Sequence, residues 1–352
     1  MDMAGPLSIM WISGAGNKGV TIVKRHLIFV GKNLVRMILL LLCVSMAAFF
    51  LVSVSPVDPL QANVGQAALG SMSQEQIEKL EEYWGVNEAP VKRYFAWASD
   101  FFRGDMGVSL LYRQEVSRVI AVKLANSLWL MALAWVISGV VGFALGVLAG
   151  MKKGTWLDKG IKGYSLLIAS TPTFWLALLL LMIFAVWLKI LPIGLSVPIG
   201  AEASGVTVLD RIRHAILPAL TLSITGISNI TLHTREKMID IMESDYVLFA
   251  RARGESMWSI FQNHGLRNVI LPAITLQFAS VSEIFGGSVL VEQIFSYPGL
   301  GQAAVTAGIG SDVPLLLGIT VISAAFVFGG NLIANLLYGV VDPRIRRGGA
   351  RT

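Results

Sequence analysis

Six stretches of the chain are apolar enough, and long enough, to cross a bilayer, and polar segments of very unequal length separate them. Taking ~20 residues as the requirement for a ~30 Å hydrocarbon core, the runs fall at about Met37–Val54, Leu128–Gly150, Leu166–Leu188, Ile216–Leu232, Val269–Phe295 and Pro314–Tyr338. This pattern predicts an all-α polytopic membrane protein with six transmembrane helices. The fourth run is the shortest and most polar. Its Thr221, Thr225, Ser228 and Asn229 fall at i, i+4, i+7 and i+8, one stripe along one face. In the fifth run Gln277, Ser280 and Glu283 step by three around a broad arc. Within lipid, such residues must face protein or water. Both readings stand at this level: hydrogen bonds between helices, or the lining of a translocation path. Gly142, Gly146 and Gly150 recur every four residues in the second run, which predicts a seam where another helix approaches closely.

Composition agrees with the membrane assignment. Of 352 residues, 55% are hydrophobic and 14% charged, and mean hydropathy is +0.68, whereas a soluble chain carries roughly a quarter charged residues. The net charge of +6 is no nucleic-acid footprint, because the basic residues gather at the ends of apolar runs. Lys18, Lys24, Arg25, Lys32 and Arg36 precede the first run; Lys152, Lys153, Lys159 and Lys162 lie between the second and third; Arg344, Arg346, Arg347 and Arg351 follow the sixth. The segment 296–313 carries no Lys or Arg. By the positive-inside rule both termini are expected to be cytoplasmic. The first run reads as an uncleaved signal anchor, and the alternating apolar and basic residues of 20–30 are expected to lie along the inner membrane surface. The single cysteine, Cys43, excludes a disulfide framework and is expected to be a small packed side chain. His26, His214, His233 and His264 have no metal-ligand spacing. Gly14-Ala15-Gly16-Asn17-Lys18-Gly19 matches G-x-G-x-x-G, but no strand precedes it and no βαβ unit surrounds it. No G-x-x-x-x-G-K-[ST] occurs, so the chain is not expected to be an enzyme that hydrolyses ATP in the P-loop manner.

The polar segment between the fourth and fifth runs is longer than a connector requires. It opens with Ser244-Asp245-Tyr246-Val247-Leu248-Phe249-Ala250-Arg251-Ala252-Arg253-Gly254 and continues through Trp258, His264 and Leu266-Arg267-Asn268 to Leu271-Pro272. The pattern predicts a short helix, a glycine break and a second short helix. Tyr246, Phe249, Ala250 and Arg253 recur at helical spacing, giving an aromatic face with a cationic flank. Gly254 supplies the reversal, since it reaches φ > 0 without a Cβ clash. Such a helix, held outside the bilayer with its rings exposed, suits a groove on another protein. These residues resemble the coupling loop of ABC importer permeases of the oligopeptide, dipeptide and nickel permease family, roughly D-Y-V-x-x-A-R-A-x-G followed by L-R-N-x-x-L-P. The resemblance implies that Asp245, Tyr246, Phe249, Ala250, Arg251, Arg253 and Gly254, in a coupling loop over 235–268, contact a cytoplasmic ATPase.

The segment 55–126 is expected to be an extracytoplasmic domain. Ser73-x-x-Gln76 is a capping-box start for a helix that Gly85 would stop. Pro90, Tyr94 and Trp97, then the turn Gly104-Asp105-Met106-Gly107, are similar to the outer domain of the same family. Two departures are Pro56-Val57-Asp58-Pro59, where the family has glycine before the aspartate, and Leu124-Ala125-Asn126-Ser127, where Leu-Pro-x-Thr is usual. Glu292-x-x-Phe295-x-x-Pro298-Gly299-Leu300-Gly301 resembles the family's fifth-span exit and outer re-entrant turn, and Asp312-x-Pro314, Asn331, Asn335 and Asp342-Pro343-Arg344 its sixth span and tail.

The resemblance covers about Ile38 to Arg346. It implies a type I ABC importer core over 121–338, preceded by cytoplasmic residues 1–36 and followed by a cytoplasmic tail, 339–352. It further implies a homologous second permease, two ATPase subunits that hold the ATP and Mg, and an extracytoplasmic substrate-binding protein; no cofactor belongs to this chain. Short peptides are the expected cargo, with nickel, metallochelates or oligosaccharides as alternatives within the same class. An ion-coupled secondary transporter would need an intramembrane carboxylate, for which Glu283 is the candidate, and an inverted repeat, which is not evident. A membrane sensor would need a cytoplasmic signalling domain, and the sequence offers none.

Overall fold

The computed structural model describes residues 13–54, 66–83, 89–196 and 207–341. Its helices are α1 (Ser13–Val54), α2 (Gln66–Leu69), α3 (Gln74–Tyr83), α4 (Pro90–Phe102), α5 (Val116–Met151), α6 (Trp156–Ala169), α7 (Thr173–Leu180), α8 (Val208–Met242), α9 (Asp245–Ala252), α10 (Met257–Ile260), α11 (Leu266–Ala279), α12 (Val281–Ile294), α13 (Leu300–Ile309) and α14 (Val313–Val341). A two-residue antiparallel ladder, Val108–Ser109 with Gln114–Glu115, precedes α5. Four helices are long and apolar enough to span a membrane, namely α1, α5, α8 and α14, and two bent pairs bring the total to six if each is one span. The six-span helical architecture expected from the apolar runs is therefore present.

The breaks were not expected. The third run, read as a single span over 166–188, is divided: α6 and α7 meet at 107° across Ser170-Thr171-Pro172. Pro172 removes an amide donor and disfavours helical geometry at Thr171. A π-helical stretch, Leu181–Trp187, then widens the end of α7. The fifth run bends by 48° at Ser280, between α11 and α12. Conversely, α8 runs unbroken for 35 residues where the apolar pattern marked only 216–232, because Thr207 and Asp210 form a capping box well before the apolar stretch. Residues 20–30 belong to the continuous helix α1. Cys43 is exposed on α1 and not packed.

The core is organised by α5 against α8. A Cβ on Gly146 would sit 2.5 Å from the Thr234 Cβ, and one on Gly150 2.5 Å from the Met238 Cβ. Gly142 is as crowded, 2.9 Å from the Ile227 carbonyl oxygen, and its own carbonyl accepts the Thr231 hydroxyl at 3.2 Å. The seam predicted for these three glycines is thus formed, and α8 is its partner.

At the end of the bundle remote from Lys152 and Lys153, a buried carboxylate ties several segments together. Glu292, near the end of α12, accepts the Ser127 hydroxyl at 2.6 Å and the amides of Gly301 and Gln302 at 2.8 and 3.2 Å. The carboxylate therefore sits on the N-terminus of α13, where exposed amides favour an anion. Ser127 also accepts the Leu300 amide at 2.7 Å, and Asn126 donates to the Pro298 carbonyl at 3.0 Å. A Cβ on Gly299 would lie 2.3 Å from the Glu292 Cδ, so only glycine leaves the carboxylate room. Asp312 does the same for α14. Its carboxylate accepts the Leu315 amide at 3.2 Å, the Ser109 hydroxyl at 2.6 Å and the Leu111 amide at 3.1 Å, pinning the small ladder to that helix.

In the segment after α1, the capping box at Ser73 and Gln76 is present in both directions, at 2.9 and 3.3 Å. Gly85 and the Pro56–Pro59 departure lie outside the described residues. Gly104 and Gly107 take φ +91° and +79°, with Asp105 accepting the Gly107 amide at 2.9 Å, as the turn reading requires.

Replacing Gly146 with Leu forces a branched side chain into the Thr231–Thr234 backbone, at a cost of at least about 1–3 kcal/mol. Gly160→Ala meets nothing within 4 Å and serves as control. Thermal unfolding in detergent is expected to show a lowered midpoint for Gly146→Leu and none for Gly160→Ala.

Candidate functional site

The polar segment after α8 is compact and its construction is local. Ser244 starts α9, and Arg253 and Gly254 end it: the Glu255 amide reaches the Ala250 carbonyl at 3.1 Å and the Gly254 amide the Arg251 carbonyl at 2.9 Å. This is the Schellman arrangement, which needs a left-handed residue after the cap. Gly254 supplies it at φ +86° with nothing within 4 Å, so the demand for glycine is conformational and not steric. The expected short helix and glycine break are both present. The expected separate second helix is not: α10 passes through a π-helical turn, Phe261–Gly265, into α11, so that Met257–Ala279 forms one arm of the bent fifth span.

The two sides of α9 have opposite roles. Val247 is fully buried and Ala250 3% exposed, packed in a cluster with Met238, Ile241 and Met242 of α8, Ile260, Phe261 and Val269. Tyr246, Phe249, Arg251, Arg253 and, beyond the turn, Trp258 are exposed. Phe249 at 66% and Trp258 at 60% are large apolar groups left uncovered at a polar end of the molecule. Of the residues predicted to contact a partner, Asp245, Tyr246, Phe249 and Arg253 thus share a free face, and Arg251 is exposed on the other side of the buried stripe. Ala250 is not exposed: it is the seat that holds α9 on α8, because the i+4 repeat from Tyr246 rotates it inward beside Val247.

Behind this face lies a pair that sequence reading passed over. Asp158 of α6 and Arg235 of α8 form a bidentate ion pair, Nε to Oδ1 at 2.5 Å and Nη2 to Oδ2 at 2.9 Å, with side chains 4% and 9% exposed. Gly154 donates its amide to the same carboxylate at 2.8 Å, and Arg235 Nη1 reaches Glu236 at 2.8 Å. Bidentate guanidinium geometry fixes orientation as well as distance. An arginine late in an apolar helix and a lone acid among the lysines of the preceding loop were the signal available in the sequence. Lys153 adds an exposed ion pair with Glu243.

The polar stripes of the fourth and fifth runs divide. Thr221 and Ser228 are fully buried, their hydroxyls donating back to Leu217 and Ile224 carbonyls at 2.9 and 3.2 Å. Gln277 is buried against α5, donating to the Trp135 carbonyl and, at 3.3 Å, to the Ser138 hydroxyl, while Trp135 Nε1 donates to the Gln277 carbonyl at 2.8 Å. These three are helix-packing residues, not path-lining ones. Ser280 sits at the bend, half-buried, its hydroxyl satisfied by Gln277 of its own helix at 2.8 Å. Thr225 is half-buried, and Asn229 and Glu283 are exposed. Glu283 lies on the chain between Gln277, which meets Ser138 beside Gly226, and Gly287, which meets Leu222. That order brings it to the depth of Thr225. Among the described residues neither Asn229 nor Glu283 has a side-chain hydrogen bond or ion pair. The bend at Ser280 is the reason the single arc expected for Gln277, Ser280 and Glu283 does not form.

Fold and site together define a multi-pass helical membrane transport component. The family described as binding-protein-dependent transport system inner membrane component matches residues 142–347. Among similar proteins, the oligopeptide transport system permease protein AppB of Bacillus subtilis is 35% identical over 307 residues, 87% of this chain and 95% of that protein. A putative peptide transport system permease protein of Brucella abortus is 34% identical over 316 residues, 90% and 98% of the two chains. A probable peptide ABC transporter permease protein of Sinorhizobium fredii is 30% identical over 319 residues, 91% and 99%. The chain belongs to the binding-protein-dependent inner membrane permease family, a transport component and not an enzyme.

Two outcomes follow from the geometry. Gly254→Val places a β-branched residue in the left-handed region, at roughly 1–2 kcal/mol, and is expected to abolish uptake with normal membrane insertion, whereas Gly254→Asn retains part of it; uptake assays with immunoblots of membranes decide. Asp158→Asn leaves the buried guanidinium with Glu236 as its carboxylate partner, at up to about 3–5 kcal/mol, and is expected to lower thermal stability, with the exchange Asp158→Arg plus Arg235→Asp restoring part of the loss.

Proposed function

We propose that this chain is a permease subunit of an ATP-driven importer and that, with a homologous second permease, it forms the translocation path for short peptides. The observation that carries the reading is α9: a short helix with exposed Tyr246, Phe249, Arg251 and Arg253, held by Val247 and Ala250 to the end of an unbroken α8. A surface of this kind receives a mechanical input, because its seat belongs to the same helix that crosses the membrane. The peptide cargo is proposed from the names of the similar permeases. Two ATPase subunits, which hold the ATP and Mg, dock on α9, and an extracytoplasmic binding protein delivers substrate to the opposite side. Both termini and α9 lie in the cytoplasm, a topology supported by Lys and Arg at the ends of the spans.

In the mechanism, ATP closes the ATPase dimer and carries α9 with it. The Val247 and Ala250 seat and the Asp158–Arg235 pair pass that displacement to α8 and α6 as a unit. The permease pair then opens outward to accept substrate, and hydrolysis returns it inward. Of the predicted path residues, Asn229, Thr225 and Glu283 are the ones left to face the path. A charged carboxylate at this depth costs roughly 2.5–3.5 kcal/mol on insertion scales, which favours its facing water or the second permease.

Charge reversal at Arg251 or Arg253 is expected to weaken ATPase copurification and to reduce substrate-stimulated hydrolysis in the reconstituted importer; full retention of both in both variants contradicts the assignment of α9. For the path, Glu283→Gln is expected to assemble normally but change peptide transport rate or preference, and Glu283→Leu to do so more strongly. Unchanged transport of every peptide in both variants, at normal expression, removes Glu283 from the path.

A further inference from the structure

The third helix after the first span, α4, has three faces, and one of them packs on the spanning helices. Tyr94, Trp97 and Phe101 form the packing face. The Tyr94 hydroxyl shares a hydrogen bond with Ser45 of α1 at 2.8 Å, and Tyr94 and Trp97 lie 5.6 and 5.8 Å, ring to ring, from Phe49. Leu317 of α14 completes this cluster. A second face is polar and exposed, with Lys92, Ser99, Asp100 and Arg103. The third carries Val91, Phe95 and Phe102 at 55%, 65% and 81% exposure. At 100° per residue these three fall within about 40° of one another, and Ala98 lies beside them.

The depth of α4 decides what covers that third face. Ser45 lies midway between Arg36, the last basic residue before the apolar run, and Val54, where α1 ends. The 1.5 Å rise puts it about 13 Å from each. A tyrosine bonded there holds α4 alongside the spanning part of α1, not above it in water. Leu317, one turn into α14, fixes the same level from the other helix. α1 itself exposes apolar residues, Leu51 at 74% and Val54 at 82%, which have lipid as their surroundings in a spanning helix.

We propose that α4 is an interfacial membrane helix, lying in the leaflet opposite Lys32 and Arg36, with Phe95 and Phe102 among the acyl chains and Ser99 and Arg103 turned toward the headgroups. It braces the outer ends of α1 and α14 from within the bilayer, so that the segment after the first span is not wholly a water-exposed domain. Amphipathic helices with this division of faces partition to such depths, and aromatic rings are favoured at the interface. The proposal rests on the chain being a membrane permease, but not on its cargo or on the role of α9.

Site-directed spin labelling tests it in the assembled importer, reconstituted in phosphatidylethanolamine and phosphatidylglycerol bilayers. Because Cys43 is the one native cysteine and is exposed, the background is Cys43→Ala. Labels are placed singly by Phe95→Cys, Phe102→Cys, Ser99→Cys and Arg103→Cys, all at exposed positions. Collision with oxygen is expected to dominate at 95 and 102, and collision with a water-soluble nickel chelate at 99 and 103. Nickel accessibility at 95 and 102 equal to that at 99 overturns the proposal, because that face is then in water. Exclusion of both probes at 95 and 102 also overturns it, because the face is then covered by the second permease or by another protein. A preparation that fails to transport still reports depth, so failure here is separable from failure of the importer reading.

Discussion

The close approach of α5 and α8 is the constraint on which the rest of the structure depends. Lipid supplies no hydrophobic drive between two apolar helices, so association relies on packing at short range and on hydrogen bonds. Gly142, Gly146 and Gly150 remove every side chain that would hold the helices apart, and the backbone of α8 from Ile227 to Arg235 occupies the space. The Thr231 hydroxyl bonded to the Gly142 carbonyl adds a polar contact at the same seam. Within the same stretch Arg235 pairs with Asp158, fastening α6 to α8. α8 is therefore gripped along much of its length before it reaches the α9 seat.

The two ends of the bundle are built on different chemistry. At the α9 end, an apolar cluster from Met238 to Val269 fixes a short helix while leaving its rings outside. At the opposite end, Glu292 and Asp312 are carboxylates spent on helix N-termini, which hold the short helix α13 and a small ladder by hydrogen bonds. His214 donates from Nδ1 to the Gly194 carbonyl at 2.6 Å, and the Leu195 amide meets the Phe295 carbonyl at 3.1 Å, tying the loop after α7 to the same region. Hydrogen-bonded caps of this kind are specific about geometry, whereas the α9 cluster is specific about burial. Between them lie the bends at Pro172 and Ser280, where a spanning segment changes direction without losing its place in the bundle.

What the sequence made legible follows from what each signal encodes. Apolar length gave the six spans, and the glycine spacing gave the seam, because both depend on residue type alone. The Gly254 turn was legible for the same reason, since one conformation demands one residue. Span continuity was not legible: Ser280 sits in a run that reads as unbroken, and the bend there separates Gln277 from Glu283. Ala250 was misjudged because repetition at helical spacing identifies a face but not which side of it is covered, and Val247 is what turns that face inward. The Asp158–Arg235 pair joins residues 77 apart in the chain, a distance at which local pattern carries no information. In the departure at Leu124–Ser127, Ser127 still supplies the hydroxyl that Glu292 requires, and Asn126 adds a bond of its own.

The central claim is that α9 and the transmembrane part of α8 move as one body when the ATPases close. Asn229 and Phe249 are both exposed and lie on opposite sides of the grip formed by Arg235 and the α9 cluster. Pulsed electron spin resonance between labels at these two positions, within one subunit of the reconstituted importer, measures that claim directly. The account predicts the same distance distribution in the nucleotide-free and ATP-trapped states, while Phe249 labels on an importer with a labelled second permease change separation. A shift in the intrasubunit Asn229–Phe249 distance between the two states would contradict it.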